Sequence, residues 1–305
     1  MNTIWYDYEK LDKSRETIVA IGNFDGLHRG HAQIMSTLKE ISRENNLTSL
    51  CYTFSEHPIN IIKGENSLPL IANNNQKEKL LQHAGIDCLF FEDFKKVKDL
   101  SAEDFIKDIL ISKLSMKVIV AGLHNHFGRN GEGDIALLRE LGNKYGFLVY
   151  ALEPLFDDGI MCSSTKIREY LKEGEIDKAN KMLGRNYTVC GTVIKGKELG
   201  TKLGFPTANI MPQCNMLIPH TGVYATSVSF EQKTYKSITN VGTCPTVNDN
   251  SVKFETHILD FDRELYGKTL EISFITKMRE TLNFENIDFL KKQLLCDVAK
   301  RKEID

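Results

Sequence analysis

Residues 18–31 constrain this chain more than any other stretch. An apolar run, Ile18-Val19-Ala20-Ile21, leads into Gly22-Asn23-Phe24-Asp25-Gly26-Leu27-His28-Arg29-Gly30-His31, and a helical apolar pattern (Ile34, Met35, Leu38, Ile41) leads out. The pattern predicts a strand, a glycine-rich turn and a helix. Gly22, Gly26 and Gly30 allow tight backbone angles and close approach of a ligand. The helix that follows points its positive N-terminus and free N–H groups at whatever anion sits in the turn. His28 and His31, three apart at the helix start, both reach that anion. Fixed donors of this kind suit a phosphate passing through a highly negative transition state. The turn is not a P-loop, because G-x-x-x-x-G-K-[ST] occurs nowhere in the chain.

Downstream, residues 50–54, 87–91, 118–121 and 147–152 read as strands, with helical patterns at 76–83, from Ser101 to Leu114 and after Asp134. Alternation at this spacing predicts a parallel, doubly wound sheet. Its ligands belong at the carboxyl ends of the strands, where the turn at residues 22–31 falls. Two more strand-end loops stand out. One is Gly122-Leu123-His124-Asn125-His126-Phe127-Gly128-Arg129, whose His-x-His pair lacks further metal ligands at recognisable spacing. The other is Ser163-Ser164-Thr165-Lys166-Ile167-Arg168, at the start of a helical pattern. Lys166 and Arg168 are cations near the positive end of that helix, a placement that an incoming triphosphate would neutralise.

Near Gly184 the texture changes to closely spaced β-rich runs (187–194, 223–230, 235–241, 254–259, 270–274) with no helices between them. They predict a small antiparallel barrel. Residues 286–300 close the chain as an amphipathic helix with Ile287, Leu290, Leu294 and Val298 on one face. The chain is expected to divide into an α/β domain, 1–184, and a barrel domain, 185–305. A chain of 305 residues is long enough for two such cores.

A formal net charge of −2 argues against nonspecific nucleic-acid binding, which needs a basic surface. No apolar run approaches a membrane span, and residues 1–7 lack a signal peptide's features. The seven cysteines are scattered, without C-x-x-C, and read as reduced thiols of a cytoplasmic protein.

The turn at residues 22–31 resembles the H-x-G-H signature of nucleotidyltransferases. In its longer form it resembles the adenylyltransferase half of the bacterial bifunctional riboflavin kinase/FMN adenylyltransferases. Residues 163–168 are similar to that family's second phosphate element, S-S-T-x-I-R. The family's loop G-x-[DN]-F-x-F-G is only partly kept: Gly122, Phe127 and Gly128 match, whereas His124 and Asn125 depart. In the barrel half, Gly204-Phe205-Pro206-Thr207-Ala208-Asn209 matches the riboflavin kinase signature, and Phe254-Glu255-Thr256-His257 and Met278-Arg279-Glu280 match further family segments.

The resemblance implies roles. His28 and His31 would stabilise charge in adenylyl transfer. Gly22, Asn23, Phe24, Asp25, Gly26, Asn125, Ser163, Ser164, Thr165 and Arg168 would bind nucleotide phosphates. In the kinase half, Gly196 and Lys202 would contact phosphate, Lys202 because Thr201 stands where the family often has Arg. Thr207 and Asn209 would hold Mg²⁺ bound to ATP, since neutral oxygens suit that hard cation when phosphates provide the charge. Glu255 would be the catalytic base, and His57 and Arg279 would contact the flavin. Riboflavin, FMN and ATP are the expected small-molecule substrates. Two rivals stand beside this reading: a riboflavin kinase with a weak or altered nucleotidyltransferase domain, and a non-catalytic flavin- or nucleotide-binding regulator.

Overall fold

The computed structural model describes residues 1–12, 14–196, 200, 203–213, 215–243 and 252–305. The chain forms two compact units, Met1–Ser163 and Ser164–Asp305.

The first unit is a six-stranded sheet of β1 (Asn2–Trp5), β2 (Thr17–Ile21), β3 (Thr48–Phe54), β4 (Cys88–Glu92), β5 (Met116–Gly122) and β6 (Leu148–Leu152). Every pairing is parallel and the order is β1-β4-β3-β2-β5-β6. Between strands run α1 (Arg29–Glu44), α2 (Pro58–Lys63), α3 (Asn74–His83), α4 (Phe94–Val97), α5 (Ala102–Asp104), continued as a π-helical stretch over Phe105–Ile111, and α6 (Ile135–Tyr145). Both faces of the sheet are covered. One packs Leu38, Ile41 and Met35 of α1 against Ile18, Ala20 and Val118, and the other packs Ile106, Leu110 and Leu138 against Val19, Leu50 and Ile119. That double coverage is why β2 is buried at every position and reads as a continuous apolar run. The order reverses beside β2, so the crevice of this doubly wound sheet opens beyond the carboxyl ends of β2 and β5. A short hairpin, β7 (Phe156–Asp157) and β8 (Ile160–Met161), follows the sheet.

The second unit begins with α7 (Ser164–Glu173) and α8 (Ile176–Leu183). Then come β9 (Tyr187–Ile194), β10 (Ala208–Pro212), β11 (Gly222–Phe230), β12 (Lys233–Thr243), β13 (Val252–Ile258) and β14 (Thr269–Arg279). They close into an antiparallel barrel in the order β10-β13-β12-β11-β14-β9. The expected domain boundary falls at Gly184, which caps α8 in the left-handed conformation. Asn180 of α8 ties that helix to the barrel: its amide donates to the carbonyls of Phe274 (2.8 Å) and Ile275 (3.1 Å) and accepts from the Tyr187 N–H (2.7 Å).

The closing helix, α9 (Ile287–Glu303), corrects one expectation. Of its predicted apolar face, Ile287 is 58% exposed, while its buried residues are Asp297 and Arg301. The Arg301 guanidinium donates to the carbonyls of Thr226 and Ser237 on adjacent strands. A register shift between Ala225 and Thr226 disrupts the ladder there and leaves carbonyl capacity for the arginine.

Candidate active site

In the first unit the turn after β2 is built around its left-handed residues. Phe24, Gly26 and Leu27 all have positive φ. At Gly26 a Cβ would lie 2.8 Å from Ile71, so only glycine fits. Asp25 is buried, and its carboxylate accepts from the N–H groups of Ile71 and Ala72 at 3.0 Å. It thereby pins the turn to the segment that enters α3. Phe24 is also buried and meets the His31 ring edge-on.

The two histidines then lie together. Their rings stack with centroids 3.7 Å apart at the first turn of α1. His28 occupies the N-cap position without a side-chain cap bond, and its Nδ1 lies 3.6 Å from the Cys162 Sγ. The Nδ1 of His31 is buried and has no hydrogen-bond partner. Burial, reinforced by the charges of His28 and Lys77, holds His31 well below the usual imidazole range. His31 is therefore neutral at pH 7, with a polar atom awaiting a partner. Lys77 gave no sequence signal. It is a 3% exposed lysine of α3, held below the usual lysine range by burial and opposed in this by the Asp25 charge.

Beside this turn a cavity is lined by Gly22, Asn23, Asn125 and the aromatic side chains of Tyr52, Phe54, Phe94, Phe105 and Phe127. Asn125 Nδ2 is buried there without a partner. Tyr52 donates at 3.0 Å to the buried Glu92, which Tyr8 also engages. His57 caps α2 by accepting from the Ile59 N–H at 3.3 Å, and Pro58 beside it lines the cavity. An aromatic box edged by the amides of Asn23 and Asn125 has the shape and polarity for a planar heterocycle.

The phosphate run of residues 163–168 is split by the unit boundary: Ser163 ends the first unit, and Ser164, Thr165 and Arg168 lie in the first turns of α7. Arg168 is buried and Thr165 exposed. Lys166 pairs with Glu169 at 2.8 Å, so its charge is met within the helix without a phosphate.

In the barrel, one register row crosses five strands. Asn209 pairs with Glu255, Glu255 with Asn240, Asn240 with Val223, and Val223 with Arg279. Directly paired residues share a face of the sheet. All five line one cavity on the outer face, together with Thr207, His257 and the α9 residues Leu290, Leu294 and Val298. Two glycines shape its polar end. A Cβ at Gly196 would fall 1.9 Å from the Asn209 amide nitrogen, and one at Gly200 would fall 2.4 Å from the Phe205 carbonyl oxygen. Asn240 Oδ1 is buried without a hydrogen-bond partner. The expected phosphate contact Lys202 lies outside the described residues.

Two family models divide the chain between them. A family model described as FAD synthetase matches residues 10–166, and one described as riboflavin kinase matches residues 183–304. The chain belongs to the bifunctional riboflavin kinase/FMN adenylyltransferase family.

Relatives of that name from Buchnera aphidicola (subsp. Schizaphis graminum) and Escherichia coli K12 are 36% and 32% identical. The alignments span 92% and 94% of this chain and 91% and 92% of theirs. A crystal structure described as a macrolide-efflux protein from Streptococcus pneumoniae shares the fold over the full length of both chains, with a TM-score of 0.92 and 27% identity. Its description belongs to that protein. No helix among the described residues here is long and apolar enough to cross a membrane.

With the family established, the residues that sequence reasoning missed in the riboflavin kinase domain are Asn240 and Asp297. Asn240 lies in the run 235–241, read only as a strand. Asp297 was hidden in a helix read for its apolar face. No group of three His, Cys, Asp or Glu side chains poised for a metal occurs among the described residues.

Proposed function

We propose that the barrel domain transfers the γ-phosphoryl group of ATP to the terminal ribityl hydroxyl of riboflavin. The N-terminal domain then transfers AMP from ATP to the phosphate of FMN, giving FAD and releasing pyrophosphate. The activities divide at residue 184, with 1–184 serving adenylylation and 185–305 phosphorylation. The observation that carries this reading is the register row, which sets Asn209, Glu255 and Asn240 side by side in one cavity with Thr207.

In the kinase reaction Glu255 accepts the proton of the attacking hydroxyl, a role that requires hydrogen-bond reach of that group. Thr207 and Asn209 fit Mg²⁺: both offer neutral oxygens, and the glycine cradle at Gly196 and Gly200 fixes them against backbone. When bound with ATP, that ion would neutralise charge on the phosphates. Gly196 and Lys202 complete the phosphate contacts in this reading, and Arg279 meets the flavin.

In adenylylation no base is needed, because the FMN phosphate is already an anionic nucleophile. His28 and His31 hydrogen-bond the α-phosphate as its charge builds. Gly22, Asn23, Phe24, Asp25 and Gly26 shape the turn around it. Asn125, Ser163, Ser164, Thr165 and Arg168 bind the remaining phosphates, and His57 borders the flavin. The enzyme is cytoplasmic, works on small molecules and binds no nucleic acid.

The test is to incubate the protein with riboflavin, ATP and Mg²⁺ and to follow FMN and FAD by chromatography. Both products are expected in succession. FMN alone would leave a kinase with an impaired adenylyltransferase, and no turnover would leave a binding protein.

A further inference from the structure

The kinase cavity contains a buried carboxylate to which the reaction as proposed gives no role. Asp297 of α9 is 4% exposed. It accepts from Arg279 Nε at 3.1 and 3.2 Å, from Arg279 Nη2 at 2.7 Å and from Gln293 Nε2 at 2.9 Å. Arg279 Nη1 donates to the Glu280 carbonyl at 3.0 Å. A guanidinium has five N–H donors. The Nε donor, one on Nη2 and one on Nη1 are committed, so two remain, on a side chain that lines the cavity.

Charge and position decide what those donors can read. Paired bidentately with Asp297, Arg279 carries little net charge toward the cavity, which suits an uncharged acceptor better than a phosphate. Along the register row, Arg279 stands three strand steps from Glu255, through Asn240 and Val223. At about 4.8 Å per step that is roughly 14 Å measured along the curved barrel wall. Past Asn240 the row continues through Val223, and the cavity wall also carries Ile238, Leu290, Leu294 and Val298. The arginine thus stands at the end of the cavity away from the reacting hydroxyl.

We propose that Asp297 is a positioning residue of the kinase site. It compensates the charge of Arg279 and aims the two remaining donors at the carbonyl or ring-nitrogen acceptors of the uncharged riboflavin heterocycle. This rests on the reading of the barrel as a riboflavin kinase. The helix does not depend on Asp297 alone for its place, because Arg301, one turn on, independently clamps it to the Thr226 and Ser237 carbonyls.

The full-length protein and its Asp297→Asn, Arg279→Ala and double variants test this by steady-state riboflavin phosphorylation. Asp297→Asn is expected to raise KM for riboflavin by about tenfold, as for loss of a charge-assisted contact, with kcat and KM for ATP within about threefold. Added to Arg279→Ala, it is expected to change nothing further, because the two act as one unit. Gln293→Met, which keeps the ion pair and leaves no charge unpaired, covers the case in which Asp297→Asn fails to fold. It should raise KM for riboflavin about two- to threefold, and not on top of Arg279→Ala. Adenylylation of supplied FMN serves as the control and should not move. Additive effects of Asp297→Asn and Arg279→Ala, or a fall in kcat at unchanged KM for riboflavin, would overturn the proposal. A wild-type protein that makes no FMN would overturn the kinase reading itself, and that failure is distinct from either pattern among the variants.

Discussion

Gly196→Ala probes the kinase site through its geometry alone, without removing any functional group. The new Cβ would lie 1.9 Å from Asn209 Nδ2, 2.4 Å from Cγ and 2.9 Å from Oδ1, whereas real Cβ atoms essentially never come within 3.0 Å of a neighbour. The amide nitrogen must therefore retreat by about 1.1 Å, from 1.9 Å to the 3.0 Å limit. Asn209 can do so by turning its short side chain, with no backbone shift. The stability cost then sits at the low end of over-packing, about 1 kcal/mol. The catalytic cost is larger, since a displacement of about 1 Å in a positioned group is worth roughly 10² in rate.

Riboflavin phosphorylation, followed as FMN by chromatography, should fall about 10²-fold, with a higher Mg²⁺ requirement and unaltered adenylylation of supplied FMN. Thermal unfolding should shift by only a few degrees. Gly200→Ala is the contrast. Its Cβ meets the Phe205 carbonyl oxygen at 2.4 Å, and a backbone oxygen cannot swing aside, so stability and kinase activity should fall together. A Gly196→Ala protein with a wild-type kinase rate would refute the reasoning, because it would show that Asn209 does not need its place in the row.

Glu255→Gln keeps the side-chain shape and removes the base, so riboflavin phosphorylation should drop by about 10²–10⁴ while adenylylation of supplied FMN survives. His31→Ala should lower FMN adenylylation by about 10²–10³ and leave the kinase nearly unchanged. Burial keeps His31 neutral in the fold, whereas the unfolded chain protonates it near pH 6.5, so wild-type stability should fall as pH drops below that value, and less so in the variant; equal pH profiles in urea titrations would refute the assignment. A fragment of residues 164–305 should unfold at higher urea than one of residues 185–305. The shorter piece loses Asn180, whose amide serves the Tyr187 N–H and the Phe274 and Ile275 carbonyls, each bond worth about 1 kcal/mol; equal midpoints would refute this.

Much of this architecture was legible because it is periodic. Strand β2, buried on both faces, announces itself as an unbroken apolar run, and Gly26 marks the turn after it, whereas the positive φ of Phe24 and Leu27 left no mark in the sequence. Strand β1 was missed: it is a four-residue edge strand with only Ile4 buried, too short for an alternating pattern to emerge. Strand β10 was hidden for a different reason. Its residues Ala208 and Asn209 end the glycine- and lysine-rich run, whose turn chemistry masked the strand that follows. Lys77 could not have been found from periodicity, because a lysine in a polar helix reads as solvated. Only the pairing of the α3 entrance with Asp25 places it under the histidine turn.

The closing helix shows where such reading must stop. Its spacing of Ile287, Leu290, Leu294 and Val298 correctly predicts a helix, and the hydrophobic effect would then dock it on that stripe. Yet Leu290, Leu294 and Val298 wall a cavity, only Val298 of them also packing on the Val223 and Ile238 cluster, and the residues that vanish from solvent are an aspartate and an arginine. Burying those two is favourable only if each finds partners. Arg301 finds the Thr226 carbonyl beside a register shift between β11 and β14 and the Ser237 carbonyl of β12, and Asp297 finds Arg279 at the end of β14. Both partners are set by strand register, which depends on pairings far apart in the chain. A helix anchored by polar contacts can leave part of its apolar stripe turned toward a cavity, and this arrangement keeps one wall of the barrel cavity apolar and Arg279 held at its edge.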